Sequence, residues 1–557
     1  MSVQQPGSGY WVRRRHLLTA GAALAGLAAM AACGNNRSAS QTGKQPSAKP
    51  SQPKTGGEFT WAQQIDPFDY DPTGKVLQNG PWVELGYNAL LSIKHGEGVG
   101  YTDLVSEPAL AEKWETPDAQ TFTFHLRKGA KWQNLAPVNG REVNSEDVRF
   151  SMEYQSRTGR FKDSKLPTSI NVSMYEGLDS VQAPDASTVV IRFKQPFVPF
   201  LQHMSLERNG ILAHEVYDKE GNFTNTMVGT GPWQMDPSAS QQGSKWVMVR
   251  NPNYFLPGRP YIDRVNILVL KDNATMVSAF QTKQIDLLNQ QYVTSATAPQ
   301  IAKANPSAVD WSFNDTRGGL LFENVKKPPL DDVRIRKAIA LSIDRDAFLQ
   351  TFYGGKGEWA VAGGQPGLFS HDEIRSILKY DPTQAKQLVS DAGFPGGVNL
   401  ELHYSPTRGD MGTQIVQLIQ AQLKNGNINV TLKPEDEATF SDTQRKGQFQ
   451  LDYEVKPQVG DIDAYVFYNW YSKSNGNFGG VADLKLDAML EAQRSTVDPA
   501  KRKDTLRQAA RYIVDNAYYT AFCYGEGHYF WQPYVKNFAP NIAHNTMPVY
   551  DSWIDKS

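Results

Sequence analysis

The chain of 557 residues has almost no cysteine; Cys33 and Cys523 are the only two. Cys33 has a separate explanation in its N-terminal setting, so no intramolecular disulfide is expected and stability must come from a large core. Neither sign of charge is in excess, with 57 Lys and Arg against 58 Asp and Glu. The first 32 residues hold three arginines and no acid, so a chain starting at position 33 carries 54 against 58. Such a body argues against nucleic acid as a partner, which needs a basic face. The longest apolar run, residues 17–32, has about 16 residues and falls short of the ~20 that cross a bilayer as a helix. Local signatures of catalysis are also missing. There is no G-x-S-x-G around a serine and no H-E-x-x-H. The nine histidines include no pair three to five residues apart, hence no local zinc-type pair. Gly229-Thr230-Gly231-Pro232-Trp233 fails as a phosphate cradle, because no Lys-Ser/Thr follows and no helix opens there. Asp69-x-Asp71-x-x-Gly74 starts like a calcium loop. The glutamate needed at loop position 12 would fall on Gly80, and Pro72 stiffens the middle, so a turn is the better reading. Cys523 lies in the aromatic stretch Tyr518–Tyr524 and reads as a packing residue rather than a nucleophile. No cofactor, no metal and no enzymatic activity are expected.

What is present is a folded body behind an address. A hydrophobic content of 40% with 11% aromatics excludes wholesale disorder, and the length suits two or three domains. Arg13, Arg14 and Arg15 precede the Ala- and Gly-rich apolar run, which ends Met30-Ala31-Ala32-Cys33-Gly34; a basic region, a short apolar region and small residues before a cysteine form an export signal. The arrangement resembles a bacterial lipoprotein signal, with Cys33 acylated as the new N-terminus. Arg14-Arg15-x-Leu-Leu resembles a twin-arginine motif, with the general secretion route as the alternative. Residues 33–57 join the acylated Cys33 to a stretch, Gly34–Gly57, rich in Ser, Gln, Lys, Pro and Gly with only Ala among aliphatics, which reads as a tether reaching roughly 25–30 Å.

Along the body, strand and helix patterns alternate. Glu58–Gln64 reads as a first strand and Trp82–Leu91 as a helix. Thr121–Arg127 places Phe122, Phe124 and Leu126 on one face, the period of a half-buried strand. Asn144 caps a helix with Glu146 and Asp147 in its first turn, where the helix N-terminus favours negative charge. Asp331 and Asp332 start a helix striped by Ile335, Ile339 and Ile343. Asp344 and Asp381 start two more. Leu400–Tyr404, a helix through Ile415, Leu418, Ile419 and Leu423, and Ile428–Leu432 form a β-α-β unit, which implies parallel strands with a right-handed crossover. Helices over Leu486–Arg494 and Ala500–Asn516 precede a late strand over Tyr518–Tyr524. The class is α/β, in part α+β.

As text, Glu107–Glu115 (EPALAEKWE), Phe124–Trp132 and Asn144–Tyr154 (NSEDVRFSMEY) closely resemble a block shared by family 5 extracellular solute-binding proteins, the peptide, oligosaccharide and nickel receptors of ABC importers. Pro196–Leu201, Gly229–Trp233, Asn251–Phe255, Arg259–Val265, Gln284–Leu287 and Pro328–Asp346 follow in family order. The resemblance implies two lobes of the periplasmic-binding-protein kind with a ligand cleft between them. It places lobe I at 58–315 and 517–557, with an extra subdomain at 92–195, and lobe II at 316–516. It implies a monomer held at the outer face of the cell membrane through its lipid, capturing an oligopeptide and delivering it to permease and ATPase subunits. An oligosaccharide is the alternative ligand, and a lipid-anchored extracellular hydrolase the alternative of another class.

Asp461-Ile462-Asp463-Ala464-Tyr465, followed by Trp470, admits two readings. The carboxylates could hold an amine or hydroxyls over an aromatic surface, or they could cap a helix whose aromatics pack inward. The resemblance places this segment at the cleft in lobe II. It puts the position that pairs with a peptide's terminal ammonium on Gln458, which is not an acid. Trp470 or Trp61 would then stack a polar ligand, with Gln63 and Arg317 as further cleft residues. On the ligand-binding reading, Asp461→Ala with Trp470→Ala weakens binding and leaves the melting temperature nearly unchanged.

Overall fold

The computed structural model describes residues 52–556 other than 68, 75, 97, 168, 316–317, 362–367, 407–410, 457–460 and 543–548. Apolar side chains there collect into two large cores and a smaller one. The first core draws on residues from Phe59 to Ile267, with Leu287, Trp311, Phe313 and a C-terminal stretch from Tyr529 to Ile554. The second runs from Leu320 to Tyr524. The third, around Met276, Phe280 and Ile301, includes Ala62 and Phe530. In sequence the first core gives way to the second between Phe313 and Leu320, and resumes between Tyr524 and Tyr529.

Two four-stranded sheets feed the first core. One has the order Glu58–Gln63, Arg264–Val269, Lys245–Arg250, Trp233–Met235, parallel in its first pair and antiparallel thereafter. The other is antiparallel: Ala111–Glu115, Thr121–Leu126, Thr188–Phe193, Leu178–Asp185. Phe122, Phe124 and Leu126 are buried while the residues between them are half-buried, as a period of two requires. The helix Ser145–Ser156 is capped by Asn144, which accepts from the Glu146 and Asp147 amides, while Asp147 accepts from the Asn144 amide.

The sequence blocks of this half form one packing unit. The Gln133 side chain accepts from the Gly229 amide at 3.1 Å and donates to the Trp233 carbonyl at 2.8 Å. A Cβ on Gly229 would stand 1.9 Å from the Gly86 carbonyl oxygen, and one on Gly231 2.4 Å from that of Leu85. Only glycine admits so close a backbone approach. The same contact corrects the helix expected over Trp82–Leu91. The helix is Val76–Gly86, because the Gly86 carbonyl is taken by the Gly231 amide at 2.9 Å instead of continuing the helical ladder. Asp286 ties the first strand to the C-terminal segment, accepting from the Thr60 amide at 2.7 Å and the Tyr534 hydroxyl at 2.6 Å.

The second core is built on a five-stranded sheet in the order Ile428–Pro434, Val398–Tyr404, Leu451–Lys456, Gly318–Glu323, Tyr519–Ala521. The first three strands are parallel, and the helix Gly412–Asn425 makes the β-α-β crossover. Asp332, Asp344 and Asp381 each cap the helix that follows. The late strand divides into Tyr519–Ala521 and Cys523–Trp531. The longer piece pairs with Val309–Asn314 and Leu287–Leu288 on the first-core side and with Gly357–Trp359 on the second. Among the described residues no helix is long and apolar enough to cross a membrane.

Glu323 lies fully buried in the second core. One carboxyl oxygen accepts from the Thr520 hydroxyl at 2.8 Å, and the other has no hydrogen-bond partner among the described residues. Burial pushes its carboxyl up to about 8. A folded pKa raised above the unfolded value gives stability that is complete below the unfolded pKa, near 4.3, and is lost as pH rises through about 8. His203, depressed below its unfolded value, opposes this slope up to pH ~6.5. Calorimetry should therefore show the parent's melting temperature falling between pH ~6.5 and ~8.5, and that fall largely removed in Glu323→Gln. Parallel curves would remove Glu323 as the source of the pH dependence.

Candidate functional site

Parallel strands Val398–Tyr404 and Leu451–Lys456 lie side by side, so their carboxyl ends share one edge of the second sheet, where ligands of α/β folds collect. The helix Ile462–Trp470 starts just beyond the second of these strands. Asp461 is its N-cap, accepting from the Asp463 amide at 2.8 Å. Both Asp461 oxygens are also held by Arg502, at 2.8 and 2.5 Å. Burial alone would raise the Asp461 carboxyl; the Arg502 charge outweighs it and holds the group below the usual carboxylate range. Asp463 is fully buried, gripped by Arg494 at 2.8 and 2.9 Å and also accepting from the Gln493 amide.

The two acids are thus saturated from within the protein, and the geometry carries the capped-helix reading of this segment. An amine arriving here finds both carboxylates already neutralised. The aromatics turn inward as well. Trp470 is 1% exposed and stacks on Tyr519 at 4.7 Å, and Tyr465 is buried against Trp470 at 5.5 Å. Trp61, also 1% exposed, sits in the first core beside Phe59 and presents no stacking face to solvent. Gln63 ends the first strand. Its carbonyl accepts from the Tyr292 hydroxyl at 3.0 Å, and its buried amide nitrogen has no partner among the described residues. The indole nitrogens of Trp61 and Trp470 are likewise buried without a partner among the described residues. Gln458, Arg317, Cys33, Arg14 and Arg15 lie outside the described residues.

Sequence reasoning missed Arg494, Arg502 and His203. The two arginines lie 31 and 41 residues from the acids they neutralise, beyond any local pattern. His203 is 1% exposed, with both ring nitrogens unpartnered among the described residues and its ring edge-on to Phe197 at 5.5 Å. Burial pushes its pKa down to about 4 in spite of the neighbouring Asp463 and Asp461, so it is a neutral packing group near pH 7.

Two other clusters have chemistry-bearing side chains, and both are accounted for by packing. Asp147, His214 and Glu215 approach one another as metal ligands could. Arg141 donates to Asp147 at 2.6 Å and to Glu215 at 2.8 Å, so a guanidinium supplies the positive charge there. The Cys523 thiol is buried, donates to the Arg345 carbonyl at 3.2 Å, and is pushed by burial up to about 12, which keeps it protonated and inert.

Two α/β bodies with the chain passing between two cores define a two-lobed fold of the periplasmic-binding-protein kind. Solved structures share this fold. The Helicobacter pylori periplasmic binding protein DppA, in complex with peptide STSA, superposes with a TM-score of 0.75 at 22% identity, over 90% of this chain and 99% of that one. The Bacillus subtilis oligopeptide-binding protein AppA, in complex with a nonapeptide, gives 0.72 at 18% identity, over 91% and 100%. The family described as bacterial extracellular solute-binding proteins, family 5 Middle, matches residues 106–478, and the chain belongs to it. Among its relatives, the dipeptide-binding protein of Escherichia coli (strain K12) is 26% identical over 77% of this chain and 82% of that protein. Heme-binding protein A of Haemophilus influenzae is 24% identical over 91% and 94%.

The burial of Asp461 and Trp470 reverses the stability expected for their double alanine variant. Removing one partner of a buried ion pair costs about 3–5 kcal/mol, and Trp→Ala in a core about 3–5 kcal/mol. Denaturant unfolding of Asp461→Ala and Trp470→Ala, singly and together, should show large losses; unfolding midpoints equal to the parent's would contradict the packing described.

Proposed function

We propose that this chain is the extracytoplasmic solute receptor of an ABC importer, that its solute is a di- or oligopeptide, and that an acyl chain on Cys33 holds it at the membrane. The observation that carries the reading is family membership together with a body whose two cores are joined by two crossings of the chain. The relatives support the ligand class, since several of them are dipeptide- or di/tripeptide-binding proteins. Lobe I is then 58–315, including the subdomain 92–195, together with the chain after Tyr524, and lobe II is 316–524, because Tyr519, Phe522 and Tyr524 pack in the second core and move the return crossing past the expected 517. Closure about the crossings would bury the solute, and separate permease and ATPase subunits would supply the energy.

Gln63, Gln458 and Arg317 are the residues we assign to the cleft, while Tyr465 packs behind it on Trp470. Asp461 and Asp463 act by fixing the helix Ile462–Trp470 through their arginines, and Trp61 and Trp470 support the walls from behind. Gln458, a neutral amide, favours one second reading: a polar solute without a free ammonium group, such as an oligosaccharide.

Native mass spectrometry of the protein as purified, followed by calorimetric titration with di- to tetrapeptides bearing free or acetylated N-termini, separates these. Micromolar or tighter binding of peptide, recovered intact, is expected. Binding of no peptide, with a co-purified glycan, would overturn the peptide reading, and catalytic loss of the added peptide would overturn the receptor reading. For the anchor, Cys33→Ala should abolish incorporation of labelled fatty acid and release the protein from the membrane fraction; unchanged fractionation would remove the lipid from the proposal.

A further inference from the structure

The two large cores also touch through residues of neither crossing segment. Arg494 stands in the last turn of the helix Leu484–Ser495, which belongs to the second core. Two of its nitrogens grip Asp463 of the same core, as described above. Its third, Nη1, donates to Glu176 at 2.7 Å. Glu176 follows the turn Val172–Tyr175, whose Tyr175 is buried in the first core. The backbone repeats the connection, for the Val198 amide donates to the Arg494 carbonyl at 2.8 Å. The guanidinium also lies between rings of both cores, 3.1 Å from the Phe467 centroid and 5.0 Å from that of Phe197.

We propose that Arg494 is an interlobe clasp, whose links to Glu176 and Val198 hold the cleft closed. Its two halves differ in permanence. The Asp463 half lies within one body, with the carboxylate fully buried and the arginine side chain 10% exposed, so it persists when the lobes part. The Glu176 half crosses between bodies, and that carboxylate is 46% exposed. Opening therefore hydrates one already accessible carboxylate and leaves the arginine paired, so it strands no buried charge. A contact of this design is strong enough to bias closure and weak enough to release. It raises the closed population with or without solute, and a solute retained by the closed state gains apparent affinity in proportion. The inference does not depend on which solute is bound.

Hydrogen–deuterium exchange of the full chain tests it without any ligand. The Val198 amide reports the clasp directly, and the strands Thr121–Leu126 and Val398–Tyr404 report the integrity of each body. Glu176→Gln should speed Val198 exchange roughly tenfold, the scale of one charged hydrogen bond. Glu176→Arg should speed it further and increase the radius of gyration in small-angle scattering, with both control strands unchanged. Val198 exchange equal to the parent's in both variants would overturn the clasp. Acceleration shared by both control strands would overturn it too, because Glu176 would then be acting on folding.

Discussion

One strand, Cys523–Trp531, is hydrogen-bonded into both bodies, and the rest of the architecture depends on it. Its first residues pair with Gly357–Trp359 and its later ones with Val309–Asn314. Rings from both sides must seat on it. A Cβ on Gly525 would stand 2.2 Å from the Tyr353 ring, and one on Gly527 2.5 Å from that of Phe313. The alternation Gly525-Glu526-Gly527-His528 is therefore a packing requirement, with small residues under the rings and polar ones between them. Glu526 binds Lys356 at 2.8 Å, and His528 binds Asp310 at 2.8 Å. A strand continuous through both bodies gives them a common axis and leaves the far side of the cleft free to part.

What was legible in the sequence is what is local. The alternation of Phe122, Phe124 and Leu126, the aspartate caps at Asp332, Asp344 and Asp381, and the β-α-β unit all follow from periodicities of two and 3.6 and from the chemistry of helix ends. The fold class and the family were legible too, because the blocks that carry them are backbone-packing devices; Gln133 and Gly229 are 96 residues apart yet one contact. The early end of the helix at Gly86 was not legible, because its cause lies about 145 residues downstream in Gly231. The site was less legible still. Asp461-x-Asp463 beside aromatics has the composition of a binding segment and of a capped helix alike. Only the positions of Arg494 and Arg502 separate the two, and no spacing rule connects those residues to the acids.

The interior treats its ionisable groups in two ways, and the division follows function. Glu323 and His203 are buried with no ion-pair contact, and burial outweighs the charges nearby (Arg336 for the first, Asp463 and Asp461 for the second), driving each toward its neutral form. Asp461, Asp463 and Asp147 are each buried against an arginine whose geometry spans both carboxyl oxygens. Neutral burial suits a core that only has to be filled. Paired burial fixes direction, since a bidentate guanidinium sets the orientation of the carboxylate and of the helix or loop that bears it. Asp461 and Asp463 thereby hold the start of the helix Ile462–Trp470, a positional role that a vacant, ligand-seeking carboxylate could not perform.

This arrangement also bears on how a cleft of this kind can admit diverse solutes. If the walls are held by internal ion pairs and by tryptophans buried at 1% exposure, Trp61 and Trp470, the scaffold stays the same whatever occupies the space between them. Selectivity then falls to side chains such as Gln63, whose amide nitrogen remains open, and to the loops at the carboxyl ends of the parallel strands. Closure is separable from selectivity in the same way. Its energy is supplied in part by Glu176, Val198 and Arg494, none of which the proposed cleft includes. A receptor built so can change its solute by altering a few cleft residues while keeping one closing motion.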